Sequence, residues 1–159
     1  MKPRLYIESS VISYYTSRPS RDLIAAGHQQ ITQQWWSQQL SRYEPYISEV
    51  VHEEISRGDA TAVALRQRAV EGFARLTVTP DVTRLARKYY AALDLPDKAR
   101  LDALHLALAV QNGMDYLVSW NFAHIVGARP RSIVQKINYR MKVETPVICT
   151  PEELVDESS

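Results

Sequence analysis

One cysteine, five glycines and no long apolar run in 159 residues narrow the field before any motif is read. The lone Cys149 excludes an internal disulfide and any cysteine-clustered zinc site, and it suits a reducing compartment. With so few glycines, no glycine-rich loop follows any β-type run, which sets aside proteins that cradle a nucleotide phosphate on such a loop. No segment approaches the roughly 20 apolar residues that span a bilayer, and the run behind Lys2 and Arg4 is too short for a secretion signal. The expectation is a cytoplasmic protein with no membrane association. A net charge of +1 carries little information, and no internal repeat or low-complexity tract is present.

What is there is the composition of a folded domain, 45% hydrophobic and 23% charged. A chain of this length buries about two-thirds of its unfolded surface in one core, so we expect a single domain over 1–155 with a flexible acidic tail at 156–159. Runs rich in β-branched and aromatic residues fall at 5–7, 46–48, 76–79, 116–119 and 147–149. Between them, Ile31, Trp35 and Leu40, and then Leu85, Tyr89 and Leu93, recur near helical spacing, with Trp35, Trp36 and Tyr89 expected as core aromatics. Strands separated by helices imply crossovers and a mostly parallel sheet of about five strands in a three-layer α/β/α arrangement. Ser20 and Asp81 are expected N-caps, and Gly58 and Gly113 are expected to close helices. Ligands of such sheets sit outside the carboxyl ends of the strands, so the residues just after each strand matter most.

Glu8 and Ser9 follow the first strand directly. In SEVVHEEISRG, Glu49 and Glu53 share a solvated face, whereas Glu54 lies on the apolar side with Val50, Val51 and Ile55, where an unpaired carboxylate is costly. In KARLDALHLALAVQNG the helix is apolar almost all round, yet Asp102 sits in its first turn and His105 one turn later on the same side. The fourth strand ends at Ser119, and Asn121 comes just after it. Carboxylates gathered within a few ångströms repel unless a cation neutralises them, and oxygen ligands suit Mg²⁺ or Mn²⁺. The plainer readings are a helix-capping Glu8, an Asp102 that complements a helix dipole, a Glu54 paired with a core arginine, and packing roles for His105 and His124.

Together YIESSVISYY, ISEVVHEEI, LDALHLALAVQNGMDYLVSWNFAHI and VICTPEEL, in this order over nearly the whole chain, resemble the PIN domain, the nuclease fold of VapC-type toxins. The resemblance implies metal-dependent hydrolysis of RNA, a homodimer, and a cognate antitoxin. It matches Glu8, Glu54, Asp102 and Asn121 to the family's four polar site positions, with Glu8 where aspartate is usual. Glu8 and Asp102 are then the direct metal ligands, Glu54 and Asn121 act through water, and Ser9 and Ser119 supply hydrogen bonds to the site. Arg129, Arg131, Lys136 and Arg140, in an acid-free segment with Lys142, are expected to contact RNA or the antitoxin. The alternative is a PIN-like module that binds RNA or a partner without turnover.

Overall fold

The computed structural model describes residues 1–155; the expected tail at 156–159 lies outside the described residues. Five strands, β1 (Arg4–Ile7), β2 (Glu44–Ser48), β3 (Ala74–Leu76), β4 (Tyr116–Val118) and β5 (Val147–Cys149), form one sheet in the order β3-β2-β1-β4-β5. Every neighbouring pair is parallel. The helices are α1 (Ser9–Thr16), α2 (Leu23–Gln39), α3 (Glu49–Ile55), α4 (Ala60–Ala69), α5 (Pro80–Ala92), α6 (Arg100–Gln111), α7 (Ala128–Met141) and α8 (Pro151–Leu154). This is the PIN-like α/β/α architecture, a parallel sheet flanked by helices.

The central strand explains itself. Leu5, Tyr6 and Ile7 are all fully buried, as a parallel strand covered on both faces requires. The chain steps outward from β1 to β2 and β3, then returns to place β4 on the other side of β1, so the order reverses between β1 and β4. At such a reversal the crossovers diverge and leave a crevice at the carboxyl ends. Glu8 and Ser119 stand there, one after each of the two strands. On the sheet's flanks, α1 packs on α2, α3 and α4, and α5 packs on α6. A buried bond from the Tyr89 hydroxyl to Asn138 Oδ1, 2.5 Å, ties α5 to α7.

Local chemistry moved several boundaries. Asp22, not Ser20, caps α2 by accepting the Ala25 amide at 2.9 Å, and Ser20 instead takes the Asp22 amide in the turn before it. Thr79, not Asp81, caps α5, because Pro80 occupies the first helical position and leaves Asp81 in the first turn. β3 itself ends at Leu76, at the start of the expected 76–79 run, and the Val78 amide is taken by Glu49 instead of a neighbouring strand. Gly58 and Gly113 both take positive φ, +106° and +63°, just beyond α3 and α6 as expected. Trp35 and Tyr89 are fully buried, while Trp36 is half-buried and stacks on Tyr15 with centroids 4.2 Å apart. Among the described residues no helix is long and apolar enough to cross a membrane.

Candidate active site

Glu8 continues β1 past its last residue, its amide donating to Val118 of β4 at 3.1 Å, and its side chain also caps α1. The carboxylate is buried and receives three neutral donors: the Ser10 amide at 3.1 Å on Oε2, and the hydroxyls of Ser10 at 2.6 Å and Ser119 at 2.5 Å on Oε1. Glu8 therefore caps α1 and also stands at the crevice beside Ser119. Ser119 is held in turn, its amide on Cys149 and its Oγ accepting the Asn121 amide at 2.9 Å.

Glu54 projects from the penultimate position of α3, its side chain 26% exposed, and its partner is a histidine and not an arginine. Oε1 accepts from His105 Nε2 at 2.6 Å and from Ser9 Oγ at 2.7 Å. His105 is wholly buried, and behind it Nδ1 meets the Tyr6 hydroxyl at 2.7 Å, which meets Ser48 Oγ at 2.8 Å. Ser48 caps α3 through the Val51 amide, so the chain of bonds returns to the helix that carries Glu54. Glu49 and Glu53 are exposed as expected, Glu53 paired with Arg57.

Burial works against a charged His105, but the hydrogen bond to Glu54 and the charges of Glu8, Glu54 and Asp102 prevail and raise its pKa above the ordinary value. Burial likewise works against ionised Glu54. The bond to His105, that residue's charge, the Ser9 hydroxyl and Arg57 prevail and lower its pKa. The two shifts agree on an imidazolium facing a carboxylate.

Asp102 lies one turn before His105 on α6, its side chain 16% exposed, and Oδ2 accepts from His124 Nδ1 at 2.9 Å. Asn121 spends its Oδ1 on the His124 amide at 3.0 Å, capping a single π-helical turn, Phe122–Val126. Gly127 closes that turn: a Cβ there would stand 2.1 Å from the Phe122 carbonyl oxygen, which no side chain tolerates.

The basic residues are spread along α7. Arg129 Nη1 donates to the Leu93 carbonyl at 3.3 Å, and Arg131 lies 3.6 Å from Glu153. Because α7 runs back to the amino end of the sheet, Lys136 and Arg140 lie about 12 and 18 Å along it from its start, at 1.5 Å per residue. Both line an open hollow of about 270 Å³ with Tyr139.

The donor set fits a divalent cation. Ligand atoms of Glu8, Glu54 and His105 all lie within 4.8 Å of one another, and because both His105 nitrogens are spent on Glu54 and Tyr6, the carboxylates are the groups left to meet an ion. Among the described residues nothing donates to Glu54 Oε2 or Asp102 Oδ1, which leaves two carboxylate oxygens free for a hard cation. Asp102, expected as a direct ligand, stands outside that group of three, and His105 enters it as the hydrogen-bond partner of Glu54 and not as a ligand. Sequence reading passed over His105, His124, Ser10, Tyr6 and Ser48 as site residues. The polar Asp102 and His105 stripe on an otherwise apolar helix was the one visible sign of them.

No protein-family model matches the sequence, and no curated protein matches it. The fold, by contrast, has a solved counterpart. The chain is similar to the crystal structure of VapC20 from Mycobacterium tuberculosis, a Sarcin-Ricin loop cleaving toxin, with a TM-score of 0.56 and 16% identity over 75% of this chain and 92% of that one. At that identity the likeness establishes the shared fold.

Proposed function

We propose that this chain is a Mg²⁺- or Mn²⁺-dependent endoribonuclease, the toxin of a type II toxin-antitoxin pair. The observation that carries the reading is the convergence of Glu8 and Glu54, with Asp102 one turn from His105, on the crevice where the strand order reverses. A nuclease has to concentrate negative charge there to hold a cation beside phosphate, whereas a structural core has no use for it. Glu8, Glu54 and Asp102 are the groups that would hold the ion. When bound, it supplies Lewis acidity toward the phosphate and acidifies an attacking water.

The chain's own residues do the rest. Three donors fix Glu8 in one rotamer, His105 and Ser9 fix Glu54, and His124 fixes Asp102, so the free oxygens are aimed before substrate arrives. Asn121, neutral and already capping the π turn, orients that turn beside Ser119 and takes no part in proton transfer. Arg129 and Arg131, at the start of α7, are assigned to RNA phosphates. Lys136 and Arg140, farther down the helix, are assigned to an acidic segment of the antitoxin. The protein acts in the cytoplasm as a homodimer.

A second reading, an RNA-binding module without turnover, draws on the His105 imidazole, which already neutralises part of the charge a cation would meet. One assay decides between them: mixed RNA with the purified protein, with and without Mn²⁺ or Mg²⁺, beside Asp102→Asn. Metal-dependent cleavage lost in Asp102→Asn supports the nuclease. Cleavage that ignores chelator or survives the substitution overturns it, and binding without cleavage under every condition establishes the second reading.

A further inference from the structure

Four aromatic rings gather on one flank of the acids, from α1, α2 and the segment after β4. His28 stacks on Trp120 with centroids 4.0 Å apart and planes 15° from parallel. Tyr14 meets both edge-on, at 5.7 and 6.2 Å, and Phe122 leans on both, at 6.1 and 6.2 Å. The base of this cluster is rigid. Trp120 is 5% exposed, with Nε1 bonded to Thr32 Oγ1 at 2.8 Å. Its rim is not covered, for Phe122 is 50% exposed.

The cluster is also wired to the site. The Trp120 amide donates to Ser10 Oγ at 2.9 Å, and that hydroxyl donates to Glu8 Oε1 at 2.6 Å. Asn121 alone separates Trp120 from Phe122 in the chain. An apolar ring held half in water, next in the chain to Asn121 and propped by a stacked pair, keeps a flat face open to solvent. It suits a flat π-face arriving from solvent.

We propose that Phe122, backed by Trp120 and His28, is a stacking platform for an unpaired base of the RNA next to the scissile phosphate. The proposal rests on the ribonuclease reading and deepens it by naming the form of substrate. A base inside a duplex keeps both faces against its neighbours, so the platform selects single-stranded or looped RNA. Stacking tolerates any base, so it sets strandedness and register and leaves sequence choice to other contacts.

The test measures binding of a labelled single-stranded oligoribonucleotide and of its duplex by fluorescence anisotropy, with chelator present and Asp102→Asn as the non-cleaving background. On that background Phe122→Ala is expected to weaken single-strand binding by about tenfold, Phe122→Trp to restore it, and duplex binding to stay unchanged in both. Equal thermal midpoints for the variants separate this from unfolding. Unchanged single-strand affinity in Phe122→Ala overturns the platform and leaves the ring to a protein contact, and equal loss for both RNAs overturns it as well. If cleavage by the unmutated chain persists through either outcome, the platform alone has failed. If no RNA is bound or cleaved at all, the ribonuclease reading fails with it.

Discussion

Two carboxylates stand within 4.8 Å of each other and are held in opposite ways. Among the described residues Glu8 accepts only neutral donors, two hydroxyls and an amide, so no cationic side chain balances it. Glu54 faces a buried imidazole whose pKa is raised, so its charge is partly balanced from behind. The difference shows two ways in which a fold can hold neighbouring carboxylates in place. His105 offsets the repulsion on one side, and neutral dipoles keep the other side in place without spending its charge.

The comparison breaks most visibly at His105. His105→Ala removes a wholly buried ring, leaves the Tyr6 hydroxyl with Ser48 alone and takes the cationic partner from Glu54, which keeps only the Ser9 hydroxyl among these bonds. Breaking a buried pair costs about 3–5 kcal/mol, and because Glu54 keeps 26% of its side chain exposed, the lower end, about 3 kcal/mol, is expected in urea unfolding. Glu8→Gln keeps the volume, but it puts an amide nitrogen where one carboxylate oxygen accepted and weakens the bonds from Ser10 and Ser119, so a cost of about 1–2 kcal/mol is expected, below that of His105→Ala. Similar losses for the two variants would show that the two acids are held alike.

pH sharpens the same contrast. The raised pKa of His105 means that its contribution is complete below the ordinary histidine value of 6.5 and is lost as pH rises through the folded value. The lowered pKa of Glu54 means that its contribution is complete above the ordinary 4.5 and is lost as pH falls through the folded value. The pair therefore stabilises fully between about 4.5 and 6.5. Thermal midpoints of the unmutated chain should decline from pH 6.5 to 9 by more than those of Glu54→Gln, in which the imidazole has lost its carboxylate. Parallel curves would remove the ion pair from the account.

The sheet and the acids at its mouth were legible in the sequence because each depends on neighbours in the chain. Leu5 to Ile7 read as buried, and Glu8 comes next. Glu54 among valines and Asp102 on a leucine-rich helix are anomalies that helical spacing alone exposes. The way these acids are held was not legible, because it joins residues far apart: Tyr6 with His105 across 99 positions, Ser119 with Glu8 across 111. Arg129 to Arg140 read as one basic face, and only the direction of α7 reveals that it leads away from the acids. The π turn after Asn121 left no periodic trace, being a single turn closed by Gly127.

The smallest effects fall on the serines, and there the comparison is most exposed to failure. Ser119→Ala takes one of three donors from Glu8 and also removes the acceptor of the Asn121 amide, so two bonds are lost in a fully buried place. Ser9→Ala takes one donor from Glu54, which keeps the stronger, charged bond to His105 and access to water. At about 1 kcal/mol for a net hydrogen bond, Ser119→Ala should cost about 1–2 kcal/mol and Ser9→Ala about 0.5 kcal/mol in the same unfolding experiment. A Ser9→Ala loss equal to or larger than that of Ser119→Ala would mean that the hydroxyl, and not the imidazole, holds Glu54 in place.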